Sequence, residues 1–332
     1  SVNVKQTQSG QAFILPVAVD VYTGGKKERH DVWVNQKDQT FSYEVKSRPE
    51  LVNFDGDKIL LCEKKETGKS LANYIYQYKQ TGGYVDRREA IAACAAMQDS
   101  TEAVELLKTA LRDRYYELRD FAITSLDLKK EPVKQAVETF LFELAKSDPK
   151  PTVKASAITA LSTYDKQIYK DLILRSVNDS SYSVAGAALN AVVNFDSAAA
   201  YTEAKKLSRL TAKGKLSEAI CNVFAVNGKE EDVDYVMNTY NALHFGDTKF
   251  ELTQMIAYYA IQLTNTEKVK QVVDGLISFR EGVPGAYKAQ LTPYINNVLL
   301  RSIANQKTAM KNLSPNAADL QQQIDYVNSK IN

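Results

Sequence analysis

Histidine is almost missing from this chain of 332 residues, with only His30 and His244 present. No His-Glu-x-x-His pair occurs and no Cys/His cluster has ligand spacing, so nothing here reads as an imidazole-based zinc site. The same scarcity excludes a Ser–His or Cys–His nucleophile, because histidine is the usual base for either. His30 is expected on an exposed strand face and His244 at a helix C-terminus, where a cation is favourable. Phosphate-binding glycine patterns are absent as well: there is no P-loop, no Gly-x-Gly-x-x-Gly and no Gly-x-Ser-x-Gly. Gly24-Gly25 and Gly82-Gly83 are isolated pairs that turn formation explains. Cysteine is sparse too, and Cys62, Cys94 and Cys221 lie far apart in apolar contexts. They read as small buried hydrophobes rather than a disulfide framework or metal site. No apolar run approaches the roughly 18 residues that a membrane helix needs. The net charge of +2 gives no reason to expect nucleic acid or an anionic membrane as partner.

What the chain does contain is enough apolar sequence for two domains. Apolar residues make up 44% and charged residues 25%, ordinary values for a globular protein. Residues 1–63 alternate like strands. From Phe13 to Val21 every odd position is a large apolar residue, giving one buried face. Arg29–Asn35, Thr40–Lys46, Leu51–Phe54 and Ile59–Cys62 follow as short strands, with Phe41, Tyr43 and Val45 expected to point inward. About six short strands separated by turn signals predict a small β-sandwich. The chain begins inside an expected strand, so a longer protein that continues upstream of Ser1 is expected. The polar stretch 64–70 is the expected linker.

From Leu71 onward the pattern is helical, and it repeats. Val153, Ala157, Ile158 and Leu161 form one apolar stripe in Pro151–Tyr164, with Pro151 at a plausible first turn. The aligned positions Ala90, Ala122, Ala157, Ala188, Ala219 and Met255 are separated by 32, 35, 31, 31 and 36 residues. This period predicts a HEAT/armadillo-like α-α superhelix over 71–332. Ser100, Asp165, Asp196, Asn227 and Asn265 are placed to cap helices. A long helix over about 286–311 and a last one from about Pro315 to Ile331 are expected to close the array.

Two side-chain groups are candidates for binding. Lys205, Lys206, Arg209, Lys213 and Lys215 form the densest basic cluster; a solvated helix face explains it better than an anion site. Arg87, Arg119 and Lys154 share a repeat position and are expected to reach acids of the neighbouring repeat, such as Asp86, Asp120 or Asp148. Among the many tyrosines, Tyr115, Tyr116, Tyr258 and Tyr259 are the candidate peptide-facing residues, although helix packing accounts for most. No residue of the chain is assigned a catalytic, cofactor-binding or metal-binding role.

The join of the two halves carries a resemblance. Val2–Gln8, then Phe13–Asp20 with Leu15-Pro16-Val17 at its centre, then Pro49–Asp55, resemble the β-sandwich that follows the catalytic domain in gluzincin zinc aminopeptidases, the aminopeptidase N family. A HEAT-type domain follows that sandwich in the family. The specific residues lie in about the first sixty positions, whereas the order of domains matches along the whole chain. The family's Gly-Ala-Met-Glu-Asn segment and His-Glu-x-x-His site are not in this sequence, so no catalytic residue carries over. The resemblance implies a non-catalytic C-terminal portion, inactive alone, that closes over the active-site cavity and restricts peptide access. It implies zinc in an upstream catalytic domain, and that domain and the peptide substrate as partners. The alternative is a HEAT-repeat scaffold for protein–protein binding.

Overall fold

The computed structural model describes residues 1–210, 212–314 and 317–331. The chain forms two compact units, Ser1–Leu141 and Phe142–Asn332.

The first unit opens with five strands: β1 (Val2–Lys5), β2 (Leu15–Thr23), β3 (Lys26–Val34), β4 (Asp38–Phe41) and β5 (Leu51–Phe54). β2 is central in an antiparallel sheet of order β3-β2-β5, and β1 pairs with β4 in a separate two-stranded sheet. Gly24 and Gly25, at φ 58° and 73°, make the two-residue turn between Thr23 and Lys26, a left-handed pair that glycine adopts at low cost. Val17, Val19 and Val21 are buried, as the alternation predicts, but Ala18, Asp20 and Tyr22 on the other face are buried too. Tyr22 meets Tyr76 of the first helix edge-on at 5.8 Å. Asp20 is held by a fork of bonds from Arg29 at 2.7 and 2.9 Å. Burial by itself would raise the Asp20 carboxyl, yet Arg29 and Lys27 hold it below the usual range.

Two expected strands differ. The strand predicted over Thr40–Lys46 ends at Phe41; Tyr43 stacks on His30 at 4.1 Å and Val45 is exposed. No strand forms over Ile59–Cys62. Asp55 and Lys58 both take φ of 54°, and the Asp55 carboxylate accepts from the Ile59 and Leu60 amides at 3.1 Å. That turn diverts the chain, leaving Ile59 and Leu61 exposed. Cys62 is exposed as well, against the expectation of a buried thiol.

The helices of this unit are α1 (Leu71–Gln80), α2 (Tyr84–Ala95), α3 (Thr101–Ala110) and α4 (Tyr116–Thr124), and α5 (Glu131–Ser147) runs across the division. Ser70 and Asn73 close a reciprocal capping box on α1. The polar stretch 64–70 therefore lies inside the first unit, leading directly into a capped helix.

The second unit holds α6 (Pro151–Leu161), α7 (Gln167–Ser176), α8 (Tyr182–Val193), α9 (Ser197–Leu207), α10 (Lys215–Asn227), α11 (Val233–Ala242), α12 (Asp247–Gln262), α13 (Thr266–Gly282), α14 (Gly285–Tyr294), α15 (Arg301–Leu313) and α16 (Ala318–Ser329). Successive first helices α6, α8, α10 and α12 pack side by side. Ala157, Ala188 and Ala219 are fully buried there, as Ala90 and Ala122 are in the first unit, whereas Met255 is half-buried. The residue after each (Ile91, Ile123, Ile158, Leu189, Ile220, Ile256) is buried in every repeat. Each such aliphatic side chain contributes about 1.5–3 kcal/mol on burial. A mostly helical, repeat-like fold is the result. The expected single helix over 286–311 is instead α14, a π-helical stretch Ile295–Leu300 and α15. Pro293, inside α14, has no N–H for the ladder. The expected start of the last helix at Pro315 falls outside the described residues.

Capping is partly as expected. Asp196 and Asn265 accept from the Ala199 and Lys268 amides. Ser100 instead turns its hydroxyl to Glu102, and Asp165 pairs with Lys170. Asn227 ends α10, and Gly228 at φ 66° terminates the helix.

A second register marks the turns. Asp113, Asp148 and Asp179 each stand nine residues before a buried alanine of the repeat, and each accepts from the amide two residues on at 2.8 Å. Basic residues of the preceding repeat reach two of these acids: Arg87 pairs with Asp113 at 2.9 Å and Lys154 with Asp179 at 3.0 Å. Arg119 donates to the Asp113 carbonyl at 2.8 Å. Asp86, named beforehand as an acceptor for such a residue, bonds Asn53 and Lys58 instead.

Candidate functional site

A cavity of about 830 Å³ lies in the first unit, within the size range of ligand pockets. Residues 1–8 form one side, and Phe13, Leu15, Val34, Val52 and Phe54 give it apolar walls. Arg48 and the stretch 60–69 complete it.

That stretch acts as a strap. Lys58 reaches Asp86 at 3.1 Å and Glu89 at 3.4 Å. Lys64 pairs with Glu89 at 2.8 Å and Glu66 at 3.4 Å, and Lys69 pairs with Glu66 at 2.6 Å. Gln77 accepts from Lys69 and donates to Glu89, while Asn53 of β5 donates to Asp86 at 2.9 Å. Three lysines thus face three carboxylates in a largely buried cluster between sheet, strap and α2. Burial opposes charge on Glu89, but Lys64 and Lys58 hold its carboxyl below the ordinary value. Lys69 is lowered too, but here burial itself is the cause and outweighs Glu66. Every charge has a partner, so the cluster presents no free base or nucleophile. It fastens one wall of the cavity. Sequence reasoning missed it by taking 64–70 for a linker; Asp86 and Glu89, three apart on one helix face, were the available signal.

The tyrosines named from sequence are not one site. Tyr115 is exposed at the start of α4, stacked on Tyr116 at 5.8 Å and edge-on to Tyr84 at 5.1 Å. Tyr258 is exposed on α12, in the second unit. Tyr259 is a correction: it is fully buried, with its hydroxyl donating to the Lys229 carbonyl, so its ring cannot face a peptide. The amphipathic spacing of Tyr258-Tyr259 allowed either residue to face inward.

The basic cluster is largely neutralised. Lys205 pairs with Glu231 and Asp232, Lys206 with Glu203 and Lys215 with Glu218. His244 is exposed just beyond α11. Cys94 and Cys221 are buried, and burial pushes their thiols up to about 11 and about 12. Among the described residues no three His, Cys, Asp or Glu side chains are arranged to hold a metal ion. No described helix is long and apolar enough to cross a membrane.

No family model matches the chain, and no curated protein does. Among solved structures it is similar to YibA of E. coli, at 15% identity over 80% of this chain and 99% of that one, with a TM-score of 0.41. An engineered protein is similar at 14% identity over 78% and 77%, with a TM-score of 0.34. A structure from the computational design of self-assembling cyclic homo-oligomers is similar at 14% identity over 74% and 95%, with a TM-score of 0.23. Likenesses at these scores carry no argument of their own. The helical-repeat character rests on the chain's own register.

Proposed function

We propose that this chain is the non-catalytic portion that follows the catalytic domain of a zinc aminopeptidase. In this reading a β-sandwich and a HEAT-like superhelix close over the active-site cavity and restrict the peptides that enter. The observation that supports it is the course of the segments behind the resemblance. Leu15-Pro16-Val17 begins β2, the strand paired on both sides, and Pro49–Asp55 supplies β5 beside it. The family-like residues are therefore the centre of a sheet that the lysine strap fastens to the first helices. The test uses aminoacyl chromogenic substrates with zinc. This chain alone turns over none, whereas the protein translated from the whole gene does, through a His-Glu-x-x-His encoded before Ser1. Turnover by this chain alone, or a gene without that motif, overturns the proposal.

A binding scaffold is the second reading, favoured by the open group of Tyr84, Tyr115 and Tyr116. Exposed aromatic rings of this kind supply contact area at low entropic cost. A whole gene product with a degraded zinc motif and no peptidase turnover would support it.

A further inference from the structure

The cavity of the first unit has two unlike sides, and the register of the sheet says where the apolar one comes from. Leu15 lies opposite Val34, Val19 opposite Phe54 and Val21 opposite Val52. Cross-strand partners share a face, as do alternate residues of one strand. Leu15, Val34, Val52 and Phe54, all in the lining, therefore belong to the same face as Val17, Val19 and Val21. The three valines of β2 are buried, whereas Leu15, Val52 and Phe54 are only half-buried. Packed cores leave few voids larger than a water molecule. A space of about 830 Å³ over this face is apolar surface that the chain leaves open.

The other side is polar, and several of its groups are already engaged. Gln6 donates to the Phe13 and Gln36 carbonyls at 2.9 and 3.3 Å, Gln8 to the Gln6 side chain at 2.9 Å and Asn73 to the Glu50 carbonyl at 2.6 Å. Lys64 and Lys69 are held by Glu66 and Glu89, and Lys5 by Asp38 at 3.3 Å. Three charged residues of the lining remain. Arg48, Glu63 and Lys65 are exposed and have no hydrogen bond or ion pair among the described residues. Two free cations against one free carboxylate leave a single positive charge unanswered beside an apolar floor. Water satisfies the polar side of such a space but not the floor. A monoanion carrying hydrocarbon satisfies both.

We propose that this cavity binds a small amphipathic carboxylate, with its hydrocarbon chain on Leu15, Val52 and Phe54 and its carboxylate met by Arg48 and Lys65. A guanidinium offers a carboxylate two donors in matching geometry, and the ammonium adds a second charge. The two sides of the cavity then have separate effects. Each methylene buried on the floor raises affinity about fourfold, so chain length sets how tightly the ligand is held. The free cations set the preference for an acid over the corresponding alcohol. The site lies wholly within the first unit and is independent of the peptidase reading.

Calorimetric titration of the chain with decanoate, octanoate and decanol, each below its micellar or solubility limit, tests the proposal. Decanoate should bind saturably at one site, octanoate about tenfold more weakly and decanol several-fold more weakly. The double variant Arg48→Gln, Lys65→Gln should weaken decanoate about tenfold and leave decanol unchanged. Both residues are exposed and unpaired, so the urea midpoint should not move. Glu63→Gln should act in the opposite sense and tighten decanoate, since it removes the one opposing free charge. Cys62 is exposed and also lines the cavity, so it reports the location. Saturating decanoate should slow its alkylation by the neutral reagent N-ethylmaleimide several-fold. The proposal is overturned by an absence of saturable decanoate binding, or by equal affinity for decanoate in the double variant. Weaker binding in Glu63→Gln overturns it too, as does unchanged Cys62 alkylation at saturation, which would put the ligand elsewhere.

Discussion

Asp113 and Asp179 occupy the same place in turns two repeats apart but should differ sharply in what they contribute. Both accept from an amide two residues on, so replacing either with alanine removes one turn bond. The ion pairs separate them. The side chains of Arg87 and Asp113 are 9% and 4% exposed, whereas those of Lys154 and Asp179 are 25% and 23% exposed. Asp113 also accepts from the Tyr78 hydroxyl at 2.7 Å. Asp113→Ala leaves a buried guanidinium without its counter-ion, a change that typically costs about 3–5 kcal/mol. Asp179→Ala breaks a half-exposed pair worth about 1 kcal/mol or less, plus the shared turn bond. The difference, about 2–4 kcal/mol, corresponds to a factor of about 30 to 1,000 in a local opening equilibrium. Hydrogen exchange over α2–α4 in one variant and α6–α8 in the other reads each effect in its own unit. Adding Arg87→Met to Asp113→Ala should restore a large part of the loss, because no charge is then left buried alone. Equal effects of the two alanine variants, or no recovery in the double variant, would refute the argument from burial.

Three further expectations follow from particular residues. Gly186→Ala in α8 should destabilise by about 1–3 kcal/mol, since a Cβ there would lie 2.5 Å from the Lys215 carbonyl oxygen of the neighbouring helix backbone. Gly275→Ala in α13 should cost less when urea titrations of the two variants are compared, because the atom in its way is the flexible end of Met237. A thiol reagent at pH 8 should label Cys62 alone in the native chain and all three cysteines after denaturation; rapid native labelling of Cys94 or Cys221 would contradict their burial. Lys307 is fully buried, donates to the Leu263 carbonyl and is pushed down to about 8 by burial, with Glu230 opposing weakly. Its folded value lies below the unfolded lysine value of 10.5, so between those limits the unfolded chain binds the extra proton. Stability of the second unit should therefore rise with pH from about 8 to about 10.5, relative to Lys307→Met. An identical pH slope in that variant would remove Lys307 as the cause.

The helical array was legible because its signal is periodic. Ala157-Ile158 and its relatives repeat one buried pair, and Pro151 takes the first position of α6 as expected. The strands were less legible where a turn overrode alternation. Ile59–Cys62 reads as a strand by composition, but the Asp55 carboxylate captures two amides and turns the chain first. Capping failed where a side chain found a nearer charged partner, as Asp165 did in Lys170. The strap was illegible for a different reason. Lysines in a polar stretch are ordinarily solvated, and only tertiary packing brings Lys58 and Lys64 onto Asp86 and Glu89. Which of two adjacent tyrosines faces the core likewise depends on helix rotation; Tyr259 went in and Tyr258 out.

We propose that this chain supports peptide hydrolysis without performing it. Release of chromophore from an aminoacyl substrate, measured with zinc for this chain and for the whole gene product side by side, tests that most directly. Turnover by the whole protein and none by the chain alone is the predicted result. Turnover by the chain alone, or by neither, would contradict it.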